Sequence, residues 1–191
     1  NNSDHIIVYD NSDVISSCRI WFNFIYFGHN PNLISILDGG LKKWIKENRK
    51  ITTDIKINPL SSYIAEENLN MVVTKEKVDQ NIDVQNFKVI DARNKDRFEG
   101  KVPEPRKGLR SGSIKNSFCI PFNNCLNKDN TFKNKDEIEL IFKNLNLDSE
   151  KTFVFSCGSG VTACVLGLAN SIVSGKKPVI YDGSWSEYGL K

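Results

Sequence analysis

The sequence predicts an α/β protein built as two tandem copies of one unit, each a parallel sheet flanked by helices, the first copy incomplete. Two observations predict it. Short apolar runs of strand length alternate with stretches of helical periodicity along the whole chain. The two ends of the chain also repeat one another: strand, loop, helix, strand, then Asp38-Gly-Gly and Trp44 in the first, Asp182-Gly-Ser and Trp185 in the second. Aligning the strand ends sets Asp10 against Cys157 and Ser12 against Ser159.

In order, His5 to Asp10 is an apolar run bounded by Asn-Ser-Asp and reads as a buried strand. From Val14 to Phe27, Ile15, Cys18, Trp21, Phe24 and Ile25 recur at helical spacing, and Gly28 is placed to stop the helix. Leu33 to Leu37 reads as a second strand, and Leu41 to Glu47 as a short amphipathic helix. Arg49 to Asn70 is polar, contains Pro59 and lacks sustained periodicity, which gives a linker over 51–70 between a first unit at 1–50 and a second at 71–191. A helix follows near Lys75 to Asn81 and a strand at Phe87 to Asp91. The stretch Gly100 to Ser117, carrying Pro103, Pro105, Gly108 and Gly112, is too long for a plain connector and is a functional candidate. Lys135 to Leu145 reads as a helix, Thr152 to Ser156 as a strand, Cys157 to Thr162 as a loop, Ala163 to Val173 as a helix, and Pro178 to Tyr181 as the last strand. The first copy shows only the second half of the unit, so a further portion of about a hundred residues, by typical domain size, is expected outside this chain.

Composition narrows the function classes. With 191 residues, 39% hydrophobic, the chain has material for a full core, and it is expected to be a soluble globular protein. Its 26 Lys+Arg against 23 Asp+Glu leave a net charge of only +3, which gives no support to a nucleic-acid or anionic-membrane partner and favours a small-molecule or protein partner. No run approaches the roughly 20 apolar residues of a spanning helix. The five cysteines are odd in number, spread out and without a CxxC pair, which argues against a disulfide framework or a zinc site and fits a reducing, cytoplasmic compartment.

The stretch Phe155-Ser-Cys157-Gly-Ser-Gly-Val-Thr-Ala163 carries the chemistry. A cysteine directly after a buried strand, followed by two glycines and then a helix, lets consecutive backbone N–H groups turn inward around the sulfur, while the helix N-terminus adds partial positive charge. Both favour the thiolate and cradle an anionic adduct, so Cys157 is a nucleophile by position. An arginine six residues after the cysteine would suit a phosphatase; that position is Ala163, which discards this reading.

These residues resemble the rhodanese superfamily, and within it the two-domain 3-mercaptopyruvate sulfurtransferases. The resemblance rests on Cys157-Gly-Ser-Gly-Val-Thr-Ala-Cys164, on Asp182-Gly-Ser-Trp185, and on Asp91-Ala-Arg93 through Arg97-Phe-Glu-Gly100 and Pro103-Glu-Pro-Arg106. Tyr9-Asp10, Arg19, Phe27-Gly28-His29 and Leu37-Asp-Gly-Gly40 extend it over a first domain that is catalytically silent. It implies tandem rhodanese-like domains and a reaction in which Cys157 takes sulfur from 3-mercaptopyruvate, releases pyruvate and passes the sulfur from a persulfide to cyanide or a thiol acceptor, either a thioredoxin-like protein or a low-molecular-weight thiol. No metal or organic cofactor is implied. Arg97 and Arg106 match the family's substrate arginines, and a guanidinium can grip a 2-keto acid with paired hydrogen bonds. Gly158, Ser159, Gly160, Val161 and Thr162 complete the substrate loop, with Ser159 a potential donor. Relatives that prefer thiosulfate typically carry basic residues where this chain has Gly158 and Ser159, so the loop suits a substrate of lower charge. Thiosulfate transfer is the enzymatic alternative, and a non-catalytic sulfur carrier or binding module is the alternative of another class.

The chain departs from the family at Gly112-Ser-Ile-Lys-Asn116, where Gly-His-Ile-Pro-Gly is usual. It also lacks the stretch that supplies the family's relay histidine and aspartate; His5 and His29 are read as packing or surface residues. Cys164 is read as a small core residue rather than a redox partner.

Overall fold

The computed structural model describes residues 1–55, 60–147 and 151–191. The Lys56–Pro59 part of the expected linker lies outside the described residues.

Two parallel sheets form. In the first, β1 (Ile6–Val8) pairs with β2 (Ile34–Ile36), setting Ile6 opposite Ile34 and Val8 opposite Ile36. Helix α1 (Ser17–Tyr26) crosses between them, and α2 (Gly40–Lys46) follows β2. The periodicity places the start of α1 at Val14; it begins three residues later. The Asp10 carboxylate accepts from Ser12 Oγ and Ser16 Oγ, both at 2.7 Å, and from the Ser17 N–H at 3.0 Å, so residues 11–16 wrap around it, with Ile15 at φ +49°.

The second sheet has the order β3-β7-β6-β4-β5, every pair parallel. Its strands are β3 (Val72–Val73), β4 (Phe87–Asp91), β5 (Phe118–Cys119), β6 (Thr152–Ser156) and β7 (Val179–Tyr181). β4 and β6 match their expected bounds. The 3-10 turn Leu69–Met71 and β3 fall at the end of the expected linker and just beyond it, where the sequence shows no periodicity because two residues suffice for an edge strand on β7.

The helices of this part are, in chain order, α3 (Lys75–Val84), α4 (Lys95–Phe98), α5 (Lys135–Lys143), α6 (Ala163–Ser174) and α7 (Ser184–Tyr188). Their starts follow local capping. Asn134 and Glu137 form a reciprocal capping box on α5, Asn94 accepts from the Arg97 N–H on α4, and Gly175 at φ +70° closes α6. Gly100 to Ser117 contains neither helix nor strand, as expected.

Strand alternation sorts the core. Val89 and Val154 face Val78 of α3, Tyr181 and Trp185, while Ile90, Phe155 and Ile180 face Ile138, Phe142, Leu166 and Ala169 of α5 and α6. The sheet is therefore covered on both faces, as a parallel sheet requires. Cys18, Trp21, Phe22 and Ile25 of α1 continue the second cluster, so the two sheets share one core across the α1–α6 contact. No helix among the described residues is long and apolar enough to cross a membrane.

Candidate active site

The ends of β4 and β6 lie level, Asp91 opposite Ser156, and the chain leaves the sheet there on both strands. Cys157 is the first residue beyond β6, buried to 1% exposure, at the floor of an open pocket of about 250 Å³. α6 begins at Ala163, so the loop sits at the positive end of a 12-residue helix.

Hydrogen bonds fix the loop from below. Ser184 Oγ accepts from the N–H groups of Cys157 (3.0 Å) and Gly160 (3.1 Å) and donates to the Tyr181 carbonyl (2.9 Å). At the start of α7, the Trp185 and Ser186 N–H groups bond the carbonyls of Cys157 and Gly158 at 2.9 Å. The Ser159 N–H points at Cys157 Sγ, 3.4 Å away. The expected cradle of consecutive N–H groups is thus narrower at its base: those of Cys157 and Gly160 belong to Ser184, because the loop must be tied to β7 before it can face the sulfur.

The expected site residues converge, with one exception. Arg97, Arg106, Cys157, Gly158, Ser159, Val161 and Thr162 line the pocket together. Gly160 does not. It turns away at φ +76°, where an added Cβ would lie 2.8 Å from Arg19 and from the Asp182 carboxylate. Arg19 ion-pairs with Asp182 and reaches the Gly160 carbonyl at 3.4 Å, so α1 touches the loop directly. Arg106 NH1 lies 3.5 Å from the Gly158 carbonyl.

Four further residues join them, three from the candidate loop Gly100–Ser117 and one from outside it. Val14 of the first unit, Glu104, Pro105 and Leu109 also line the pocket. Glu104 carries a usable signal, a lone acid between prolines and close to three arginines; Val14 carries none, because only folding brings residue 14 beside residue 157.

The remaining cysteines do not line the pocket. Burial pushes the thiols of Cys18 and Cys164 well up and those of Cys119 and Cys125 up to about 12. Cys164 donates to the Gly160 carbonyl at 3.2 Å inside the core, which suits the small core residue expected there. His29 is buried against Tyr63, and His5 Nε2 lies 2.9 Å from Ser35 Oγ; neither lines the pocket. In the first unit the cavity beside Asp10 holds about 10 Å³, since the carboxylate fills its own loop. No cluster of three His, Cys, Asp or Glu suited to a metal occurs among the described residues.

Comparison with known proteins agrees with this geometry. The rhodanese-like domain family matches residues 1–47 and 74–191. A 3-mercaptopyruvate sulfurtransferase of Mus musculus is 37% identical over 190 residues, covering 98% of this chain and 63% of the relative. A thiosulfate sulfurtransferase of the same species is 35% identical with the same coverage. The chain thus spans less than two thirds of the length of these curated relatives. Among solved structures, SseA from Escherichia coli, described as a 3-mercaptopyruvate sulfotransferase of rhodanese fold, superposes with a TM-score of 0.83 at 32% identity, over 98% of this chain and 69% of that one. The cysteine loop, the parallel sheet beneath it and the two matched segments place this chain in the rhodanese-like domain family.

Proposed function

We propose that the protein is a sulfurtransferase that moves sulfur from 3-mercaptopyruvate through a persulfide on Cys157. The observation that carries this reading is the placement of one cysteine at the floor of a pocket whose rim holds two arginines, Arg97 and Arg106. The Cys157 thiolate attacks the donor sulfur and an S–S bond forms. The carbon–sulfur bond breaks, its electron pair stays on C3, and the donor's thiol proton ends on that carbon, giving pyruvate and Cys157–S–S⁻. A thiolate acceptor then attacks the outer sulfur and Cys157 leaves as thiolate; a nucleophile that is also a good leaving group serves both steps. The arginines bind the donor's carboxylate and keto oxygen, and hold the negative charge that develops on the enolate.

Gly158 supports the choice of donor. An added Cβ there would sit 3.2 Å from Arg97 NH2, so a long basic side chain at this position would have to move Arg97 aside. A singly charged keto acid needs the arginine where it is. The acceptor in this reading is a thioredoxin-like protein or a low-molecular-weight thiol, and a reducing, cytoplasmic setting keeps all five free cysteines as thiols. The chain divides as a silent rhodanese-like unit at 1–50, a linker at 51–70 and a catalytic unit at 71–191; the gap between the two family-matched segments supports that division.

Intact-mass measurement after exposure to each donor tests the reading. Gain of one sulfur atom from 3-mercaptopyruvate in preference to thiosulfate, abolished in Cys157→Ser, is the expected result. Loading of Cys157→Ser, or none of the native chain by either donor, overturns it. A thiosulfate preference keeps the family chemistry and overturns the donor.

A further inference from the structure

Arg97 does not stand alone at the rim. Its Nε and NH2 donate to the two oxygens of Glu104, at 3.2 and 2.5 Å, so one edge of the guanidinium is clamped by a carboxylate. The NH1–NH2 end, which shares NH2 with the clamped edge, faces Gly158: a Cβ on that glycine would lie 3.2 Å from NH2 and 4.0 Å from NH1, and Arg97 lines the pocket. Glu104 has a side chain only 1% exposed and is held in turn by Arg93 NH1 at 2.8 Å. Arg93, equally buried, is fixed from three further sides. Asp91 at the end of β4 accepts from its Nε and NH2, the Gly112 carbonyl accepts from NH2 at 2.8 Å, and the Trp185 ring stacks at 4.4 Å. A line of alternating charge, Asp91, Arg93, Glu104, Arg97, therefore runs from the sheet to the rim. Arg106 has no carboxylate partner among the described residues.

We infer that Glu104, locked by Arg93, is a positioning residue that fixes the free edge of Arg97 for the carboxylate of the donor. The inference rests on the sulfurtransferase reading for the identity of that donor. The four groups of the line sum to zero charge, so Arg97 supplies direction while Arg106 supplies the uncompensated positive charge. A guanidinium gripped on one edge loses little freedom when the other binds a ligand, which is how a preorganised rim selects a planar anion. Motion of Arg97 away from Gly158 would leave the carboxylate with Arg106 alone.

The test uses two alkylating reagents that differ only in a carboxylate, iodoacetate and iodoacetamide, and reads the ratio of their rates at Cys157. Loss of one aligned charge-assisted contact is expected to lower that ratio about tenfold in Glu104→Gln, with the iodoacetamide rate within about twofold of native. With 3-mercaptopyruvate as donor, KM rises more than kcat falls. Arg97→Met lowers the same ratio, and adding Glu104→Gln to it lowers the ratio no further, since coupled residues are not additive. Removing one partner from a buried charge line can prevent folding, so Glu104→Asp, which keeps the charge beside Arg93 but retracts from Arg97, is measured in parallel and shows the same fall. An unchanged ratio in Glu104→Asp, an equal fall for both reagents, or a full additional loss in the double variant overturns the inference. The ratio needs no sulfur donor. If it falls as expected while neither donor loads Cys157, the sulfurtransferase reading fails and the positioning role stands.

Discussion

Ser184 joins strain and hydrogen bonding in one residue. It is fully buried, sits at φ +50° without being glycine, and its hydroxyl makes three bonds that tie the Cys157 loop to the end of β7. Left-handed backbone is unfavourable for a residue with a Cβ, so the hydroxyl contacts must hold it there. Ser184→Ala leaves two buried N–H groups without an acceptor and should lower stability by about 1–3 kcal/mol, read as a fall in Tm, together with slower persulfide formation. Ser184→Gly relieves the backbone yet loses the same bonds; a Gly variant as stable and active as native would show that conformation, not the hydroxyl, matters. The sequence displayed Asp182-Gly-Ser184 as a turn but gave no hint that its hydroxyl reaches residues 157 and 160, which are brought near only by the pairing of β6 with β7.

At the level of elements, α1 does more than cover a core. Its Arg19 crosses to Asp182 and to the Gly160 carbonyl, linking the first unit's helix to the loop of the second. Both side chains are partly solvated, so the pair itself contributes at most about 1 kcal/mol. Arg19→Met is expected to leave Tm nearly unchanged while slowing sulfur loading several-fold, because the loop loses a lateral support rather than a core contact. A large fall in Tm without a change in loading rate would reverse that assignment. The helical spacing of α1 was legible from Ile15 to Ile25; its late start was not, since an aspartate seven residues upstream captures the Ser17 N–H. β3, β5 and α4, with two, two and four residues, are too short to carry a period and were missed for that reason.

Across the whole molecule, thiol chemistry and stability are coupled. Burial raises the thiols of Cys18, Cys119, Cys125 and Cys164, and burial with the bond to Glu187 raises the Tyr181 phenol. Each of these acids ionises more readily unfolded than folded. Their contribution to stability is therefore complete below the unfolded values and is lost as pH rises from those values through the folded ones, beginning at about pH 9 for the thiols and about pH 10 for the phenol. Tm should hold level from neutral pH and fall steeply above that point; a Tm rising through the alkaline range would contradict the burial of these groups. Cys157 lines an open pocket whereas Cys18, Cys125 and Cys164 lie in the core, so a maleimide titration of the native chain at neutral pH is expected to modify Cys157 before those three. Cys18, Cys125 and Cys164 should react only after unfolding. Fast labelling of Cys18 or Cys164 would show that the α1–α6 contact opens in solution.

The sequence by itself determined the α/β class, the duplicated order of elements, the bounds of β4 and β6, and the cysteine loop proposed to carry the chemistry, because each is written in contiguous residues: apolar runs, Asp-Gly turns, and the stretch 157–163 after a strand. What only the tertiary structure decided is which groups support them. Glu104 faces Arg93 and Arg97, Ser184 takes the N–H groups of Cys157 and Gly160, Arg19 reaches Asp182, and Val14 enters the pocket. These partners are separated by as many as 163 positions and meet because parallel strands bring their carboxyl ends to one edge of the sheet.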